Sequence, residues 1–161
     1  MATIRDLEEK FWKALKSDMT MMLGLVDVRD SHLRPMTAQL GDGKGPIWFF
    51  TSTSALIVKD VKKTKRAIAT FASKKHDLFV TVHGKLSIDT DKATLDKLWN
   101  RFVAAWYEKG KDDPKLVLLR LDPKDAEIWL DDSSLFAGVK MILGMDPKEV
   151  YKDNVVKVKL G

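Results

Sequence analysis

The chain has 161 residues, 45% of them hydrophobic and 32% charged, with a formal net charge of +5 and no cysteine. That length suits one ordinary core, so a single domain over residues 1–161 is expected. The missing cysteines exclude disulfides, thiolate metal sites and thiol nucleophiles, and every apolar run is far shorter than the roughly 20 residues a membrane span needs.

Three acids within the first nine residues argue against a signal peptide, and together with the lack of cysteine they point to a cytoplasmic protein with no membrane partner. The lysines are spread through turns and helix backs, as solvated faces require. The densest basic run, Lys59 to Arg66, holds five bases. Without a recognition helix, an aromatic RNA-binding signature or zinc ligands, no nucleic-acid partner is expected from it.

Residues 3–16 predict an amphipathic helix, with Thr3 as N-cap, Asp6 three residues on, and Leu7, Phe11 and Leu15 repeating every fourth position. From Met19 the pattern becomes that of a strand, "MTMMLGLVDV", followed by the turn-rich "RDSH" and a second strand over Leu33–Leu40, so a β-hairpin is expected. "GDGKG" at 41–45 supplies a tight turn through glycines that tolerate positive φ, and "PIWFFT" is the next strand. Ser54 then caps a short helix through about Lys63, with Leu56, Ile57 and Val61 on its apolar side.

Strands resume at 67–72 and 78–88, the latter with Gly84 as an expected bulge. Asp91 opens a helix running to Gly110 whose apolar set is Leu95, Leu98, Trp99, Phe102, Ala105 and Trp106. Two strands, "KLVLLRL" and "AEIWL", flank an expected turn at "DPKD", and a helix "SSLFAGVKMILG" and a strand "VVKVKL" complete the chain. Short antiparallel strands, tight turns and end-packed helices describe an α+β domain built on a closed or split barrel, not a doubly wound parallel sheet.

Familiar chemistries are poorly supported. "GDGKG" is followed by proline and a strand, whereas a P-loop must open a helix, and no G-x-G-x-x-G fingerprint occurs. His32, His76 and His83 have no second ligand at metal spacing, so no metal is expected, and no nucleophile elbow surrounds a serine. Trp12, Phe71 and Phe102 suit the core, while alternation places Trp48 and Phe50 on the face opposite Phe49 and Thr51.

One constellation stands out. If Leu33–Leu40 and "WFFTSTS" pair across the glycine turn about Gly43, Arg34 falls opposite Ser52. A guanidinium, the hydroxyls of Thr51, Ser52, Thr53 and Ser54, and a helix N-terminus then converge, as suits a phosphate monoester; an exposed arginine beside a hydroxyl-rich cap explains the same residues.

"RPM" at 34–36, "IWFFTSTS" at 47–54, "LFVTVHGKLSIDTDKATLDKLW" at 78–99, "KDDPKLVLLRLDP" at 111–123 and "AEIW" at 126–129 together resemble the pyridoxamine 5′-phosphate oxidase-related flavoproteins, in their bacterial general stress protein branch. The resemblance runs in order over roughly residues 5 to 145. It implies a mostly antiparallel FMN-binding split β-barrel with flanking helices, and a homodimer with FMN in clefts between subunits.

It also implies that Arg34 and Thr51 hold the phosphate or ribityl chain with Ser52 and Ser54 assisting, that Pro35, Met36 and Thr37 lie along the isoalloxazine, and that Phe50 borders it. Relatives carry a base five or six residues after this threonine, whereas here the first base is Lys59, eight residues on. Either Lys59 reaches back or the phosphate relies on Arg34, hydroxyls and backbone N–H groups.

Phe79 stands where the vitamin-forming oxidases carry a glutamine, and their C-terminal basic and aromatic pattern is missing, so pyridoxamine phosphate oxidation is not expected. The implied function is a flavin-dependent oxidoreductase acting with a small-molecule electron donor or acceptor. The alternative is a non-catalytic module that stores or senses FMN. No residue suggests itself as a catalytic acid or base; Trp99 and Trp106 suit either core packing or a wall of the cleft.

Overall fold

The computed structural model describes residues 3–131 and 155–161. In chain order the elements are α1 (Ile4–Asp18), β1 (Thr20–Leu25), β2 (Arg34–Thr37), β3 (Gln39–Leu40), β4 (Ile47–Ser52), α2 (Leu56–Asp60), β5 (Arg66–Ala72), β6 (Leu78–Asp89), α3 (Lys92–Leu98), α4 (Arg101–Ala104), β7 (Leu116–Leu130) and β8 (Val155–Lys159). The predicted helix in "SSLFAGVKMILG" lies outside the described residues.

Helix α1 starts as its sequence dictates. The Thr3 hydroxyl accepts from the Asp6 N–H at 3.2 Å, and the Asp6 carboxylate accepts from the Thr3 N–H at 2.8 Å, so two otherwise orphaned donors are satisfied reciprocally. Leu7, Phe11, Trp12 and Leu15 form the buried stripe, and the Phe11 ring meets Phe71 edge-on at 6.0 Å. α1 thereby closes part of a core built from the inward faces of β1, β4, β5, β6 and β7, whose centre includes Met21, Leu23, Phe49, Val80, Leu86, Leu119 and Ile128.

The strands form a single curled antiparallel sheet in the order β2-β1-β5-β6-β7-β4-β3, with β8 added against the C-terminal half of β7. Its spine is the β6–β7 ladder, running from Leu78↔Leu130 to Asp89↔Leu118 with a shift at His83/Gly84. Gly84 is the expected bulge, and it must be glycine: a Cβ there would collide with the carbonyl oxygen of Asp122.

The bulge also explains a departure from the sequence reading. "DPKD" is not a turn between two strands; it lies inside the 15-residue β7, with Pro123 opposite Gly84. A proline cannot donate to a ladder, and the bulged register is where that deficit is tolerated.

Three further expectations are corrected. The helix predicted from Asp91 to Gly110 is broken: Asn100 adopts extended φ/ψ, and its side-chain oxygen accepts from the N–H groups of Phe102 at 3.0 Å and Val103 at 3.1 Å. The asparagine caps α4 anew instead of continuing α3, because its amide competes with the helical backbone. Phe102, expected in the core, is 70% exposed as a result.

Secondly, α2 has only five residues, its N-cap position is Ala55, and no side chain caps it. Ser54 is instead part of a turn, 3.2 Å from the Ser52 hydroxyl. Of the expected apolar side Val61 is buried, but it is joined by Val58 rather than by the exposed Leu56.

Thirdly, the pairing across "GDGKG" covers only Gln39↔Trp48 and Leu40↔Ile47. Arg34–Thr37 pairs with β1 instead, with Leu23↔Arg34 and Met21↔Met36, as the first predicted hairpin requires. The switch is at Ala38, whose N–H donates to the Met19 carbonyl at 2.6 Å. Since β2 and β3 are the two ends of the strand order, residues 34–40 run along both edges of the sheet and close it into a half-barrel. The ladder is missing where that segment has left β4 for β1.

Candidate functional site

A cleft of about 890 Å³ opens at this seam. Its floor comes from β2 (Arg34, Pro35, Met36, Thr37) with Gln39, and from the end of β4 (Phe50, Thr51, Ser52). Its far wall comes from α4 and the loop leading to β7: Phe102, Val103, Trp106, Tyr107, Glu108, Lys109, Asp113, Pro114 and Lys115. The volume is toward the upper end of the range for small-molecule sites, roughly 300–1,000 Å³.

Seven of the nine residues proposed from the sequence thus meet in one cavity. They do so by adjacency across the seam, not by the ladder register that placed Arg34 opposite Ser52. The other two lie elsewhere. Ser54 is exposed beyond the rim and reaches the site only through its contact with Ser52. Lys59 is an exposed residue of α2 and does not line the cleft. The helix that carries it is too short to provide an anion site at its N-terminus.

The mouth of β4 is anchored from the opposite wall. Tyr107 donates its hydroxyl to the Thr51 carbonyl at 2.7 Å, and its ring lies 6.2 Å from that of Trp99, which meets Phe50 edge-on at 6.1 Å. Burial, with the nearby Asp113 charge, pushes the Tyr107 hydroxyl above its ordinary range, so it stays a donor at neutral pH. Trp99 therefore buttresses the cleft from behind, whereas Trp106, 84% exposed, stands in its wall.

Asp113 shapes the loop. Its carboxylate accepts from the backbone N–H of Lys115 at 2.9 Å and of Lys109 at 3.2 Å. The Lys115 N–H bond, followed by the Lys109 N–H and the two lysine charges, holds its carboxyl below the ordinary carboxylate value. Both lysines are thereby brought to the cleft. Among the described residues, Arg34, Lys109 and Lys115 take part in no ion pair.

Sequence reasoning missed Gln39, the buried polar residue beside the cleft, and the pair Tyr107 and Lys115. Gln39 interrupts the apolar end of "LRPMTAQL", which is a usable sign. Nothing local marks the other two, which matter only through strand β4.

The pyridoxamine 5′-phosphate oxidase-like family model matches residues 6–151. The chain belongs to that family, in its general stress protein branch. Over 52 residues it is 38% identical to general stress protein 26 of Bacillus subtilis (strain 168), a match covering 32% of this chain and 36% of that protein. Solved structures resemble it over much more of its length. A general stress family protein of Xanthomonas campestris pv. campestris is 57% identical, with a TM-score of 0.78, over 83% of this chain and 93% of that one.

The general stress FMN/FAD binding protein of Xanthomonas citri is 56% identical, with a TM-score of 0.76, over 81% of this chain and 92% of that one. The half-barrel is thus the split barrel of this family. Among the described residues, no helix is long and apolar enough to cross a membrane, and no group of histidines and carboxylates is arranged to hold a metal.

Proposed function

We propose that the chain binds FMN in the seam cleft and acts as a flavin-dependent oxidoreductase of the general stress type. The observation that carries this reading is the composition of one cavity: a guanidinium that takes part in no ion pair among the described residues (Arg34), three hydroxyls (Thr37, Thr51, Ser52) and exposed aromatic rings (Phe102, Trp106). These residues fit the group, since a phosphate and ribityl chain need the first two and an isoalloxazine ring needs the third. The Xanthomonas citri relative, named for FMN/FAD binding, supports the same choice.

Bound flavin supplies the electron chemistry. The protein's own part is to bind and orient it. Arg34 neutralises the phosphate, Thr51 and Ser52 donate to it, and Pro35, Met36 and Phe50 form the apolar border of the ring. Tyr107 keeps the β4 mouth from shifting. We further propose a homodimer, because the Phe102 and Trp106 rings, 70% and 84% exposed, are surfaces that a second subunit closing over the flavin would cover.

The test is the visible spectrum of the purified protein, followed by titration of the apoprotein with FMN. The oxidised-flavin bands are expected in the wild type and lost in the combined Arg34→Ala/Thr51→Ala variant. A colourless wild type that ignores FMN overturns the proposal. Reduction of the bound flavin by NADH or NADPH separates the oxidoreductase from a module that only stores or senses FMN.

A further inference from the structure

We propose that Lys115, assisted by Lys109, is the second cation of the phosphate site, in place of Lys59. The inference rests on the flavin reading above and names residues for it that the sequence pattern does not suggest.

Strand parity brings the charges together, because alternate residues of a strand share a face. On β4, Ile47 and Phe49 are fully buried, so Thr51 lies on the inward face. On β7, Val117, Leu119 and Leu121 are buried on that same side; Lys115, exposed in the turn just before the strand, continues their alternation, which sets it on that side at the rim of the cleft. On β2, Met36 packs against the core, so Arg34 shares its face.

The three strands then set the spacing. β4 is paired to β7 through Thr51↔Val117 and Ser52↔Leu116, and the pairing continues as the Thr53 N–H donates to the Lys115 carbonyl at 2.9 Å. β2 lies along the other edge of β4. The positions of Arg34 and Lys115 therefore lie on opposite sides of Thr51 along the lining of one cleft.

Lys59 cannot take this position without rebuilding α2. Ile57 faces the cleft, and a residue two places further along an α-helix is turned away by about 200°. On the Lys115 side, Asp113 spends its oxygens on the two backbone N–H groups, and among the described residues neither ammonium group takes part in an ion pair. Glu108, exposed on the same wall, is the opposing charge, and with Asp113 it leaves the lining at +1 from three cations and two anions. A dianionic phosphate suits that balance better with Lys115 than without it.

The test compares FMN with riboflavin, which has the same ring and ribityl chain but no phosphate, by fluorescence titration of Lys115→Gln, Lys109→Gln and Lys59→Gln. Lys115→Gln is expected to weaken FMN binding by about tenfold or more while leaving riboflavin binding unchanged. Lys109→Gln has a smaller effect of the same kind, and Lys59→Gln alters neither ligand. Unchanged riboflavin affinity also shows that the variants fold.

Wild-type FMN affinity in Lys115→Gln, or a phosphate-specific loss in Lys59→Gln instead, overturns the assignment while leaving the flavin reading intact. A wild type that binds neither ligand overturns the flavin reading, and this proposal with it.

Discussion

The β6–β7 ladder and the β2–β4 seam lie in the same sheet and are built in opposite ways. In the ladder every residue from Leu78 to Asp89 has a partner on β7, and the single irregularity is absorbed by Gly84 against Pro123. At the seam, pairing on β3 stops after Gln39↔Trp48, and the last residues of β4 face a cavity on the edge where the spine has a strand. Unsatisfied strand edges are a liability in a folded protein, so the chain places its candidate binding groups where the edge is left open. The ladder supplies the rigidity that such an open site lacks.

The contrast can be broken most forcefully at the core beneath the seam. Phe49, fully buried between the β4 mouth and the barrel interior, is expected to cost about 3–5 kcal/mol when changed to alanine, read as a lowered midpoint in chemical denaturation. Trp106→Ala, on the exposed wall of the cleft, should stay within about 0.5 kcal/mol of wild type in the same experiment run on the apoprotein at a concentration low enough to keep subunits apart. Equal losses in the two would mean that the cleft wall belongs to the core.

Next in size is Gly84→Ala. The added methyl meets the Asp122 backbone, which cannot swing aside as a side chain could, so a loss of about 1–3 kcal/mol is expected. Amide exchange should rise along β6 and β7 and not at Arg34–Thr37; a rise confined to the seam would contradict the division drawn above.

A smaller effect is expected from Tyr107→Phe, which deletes one hydrogen bond to the Thr51 carbonyl. The loss is about 0.5–1.5 kcal/mol, and faster exchange at the β4 mouth, with the ladder unaffected, is the signature to seek. Denaturation midpoints matching wild type, with no local change in exchange, would show that the seam does not depend on this anchor.

The smallest effect is a pH dependence in the turn that leads into β6. The Ser73 hydroxyl donates to Asp77 at 2.6 Å, and this bond, helped by the Lys10 charge, lowers the Asp77 pKa below its ordinary value of 3.8. A carboxylate whose pKa is depressed on folding stabilises the protein above the unfolded value, and that contribution is lost as pH falls through the folded one. Wild type should therefore lose thermal stability below pH 3.8 more steeply than Asp77→Asn. Parallel curves for the two proteins would remove Asp77 from the acid response.

Much of the fold is legible in the sequence because it is written locally. The Thr3 and Asp6 reciprocal cap with its Leu7, Phe11 and Leu15 stripe, the alternation that buries Phe49 and half-exposes Trp48 and Phe50, and the Gly84 bulge each depend on residues within a turn or a strand of one another. The candidate site was legible in part for the same reason. Arg34–Thr37 and Phe50–Ser52 are compact motifs, and they do meet, although the hairpin register that predicted the meeting is not the one the chain adopts.

What escaped is non-local. Asn100 looked like one more residue of an amphipathic run, yet its side chain restarts the helix and turns Phe102 and Trp106 toward the cleft. "DPKD" has the composition of a turn, but a continuous β6 neighbour on one side holds it straight.

The sequence by itself determined the alternating strands and the first helix, because local periodicity and capping fix them before any long-range contact forms, and the two short motifs at the cleft, with the other stretches they resemble, pointed to the family. Only the tertiary structure decided that residues 34–40 divide between both edges of the sheet, and that the far wall of the cleft is supplied by Tyr107, Lys109 and Lys115. Those outcomes depend on which edges remain unpaired once β5, β6 and β7 have assembled, and no window of neighbouring residues contains that information.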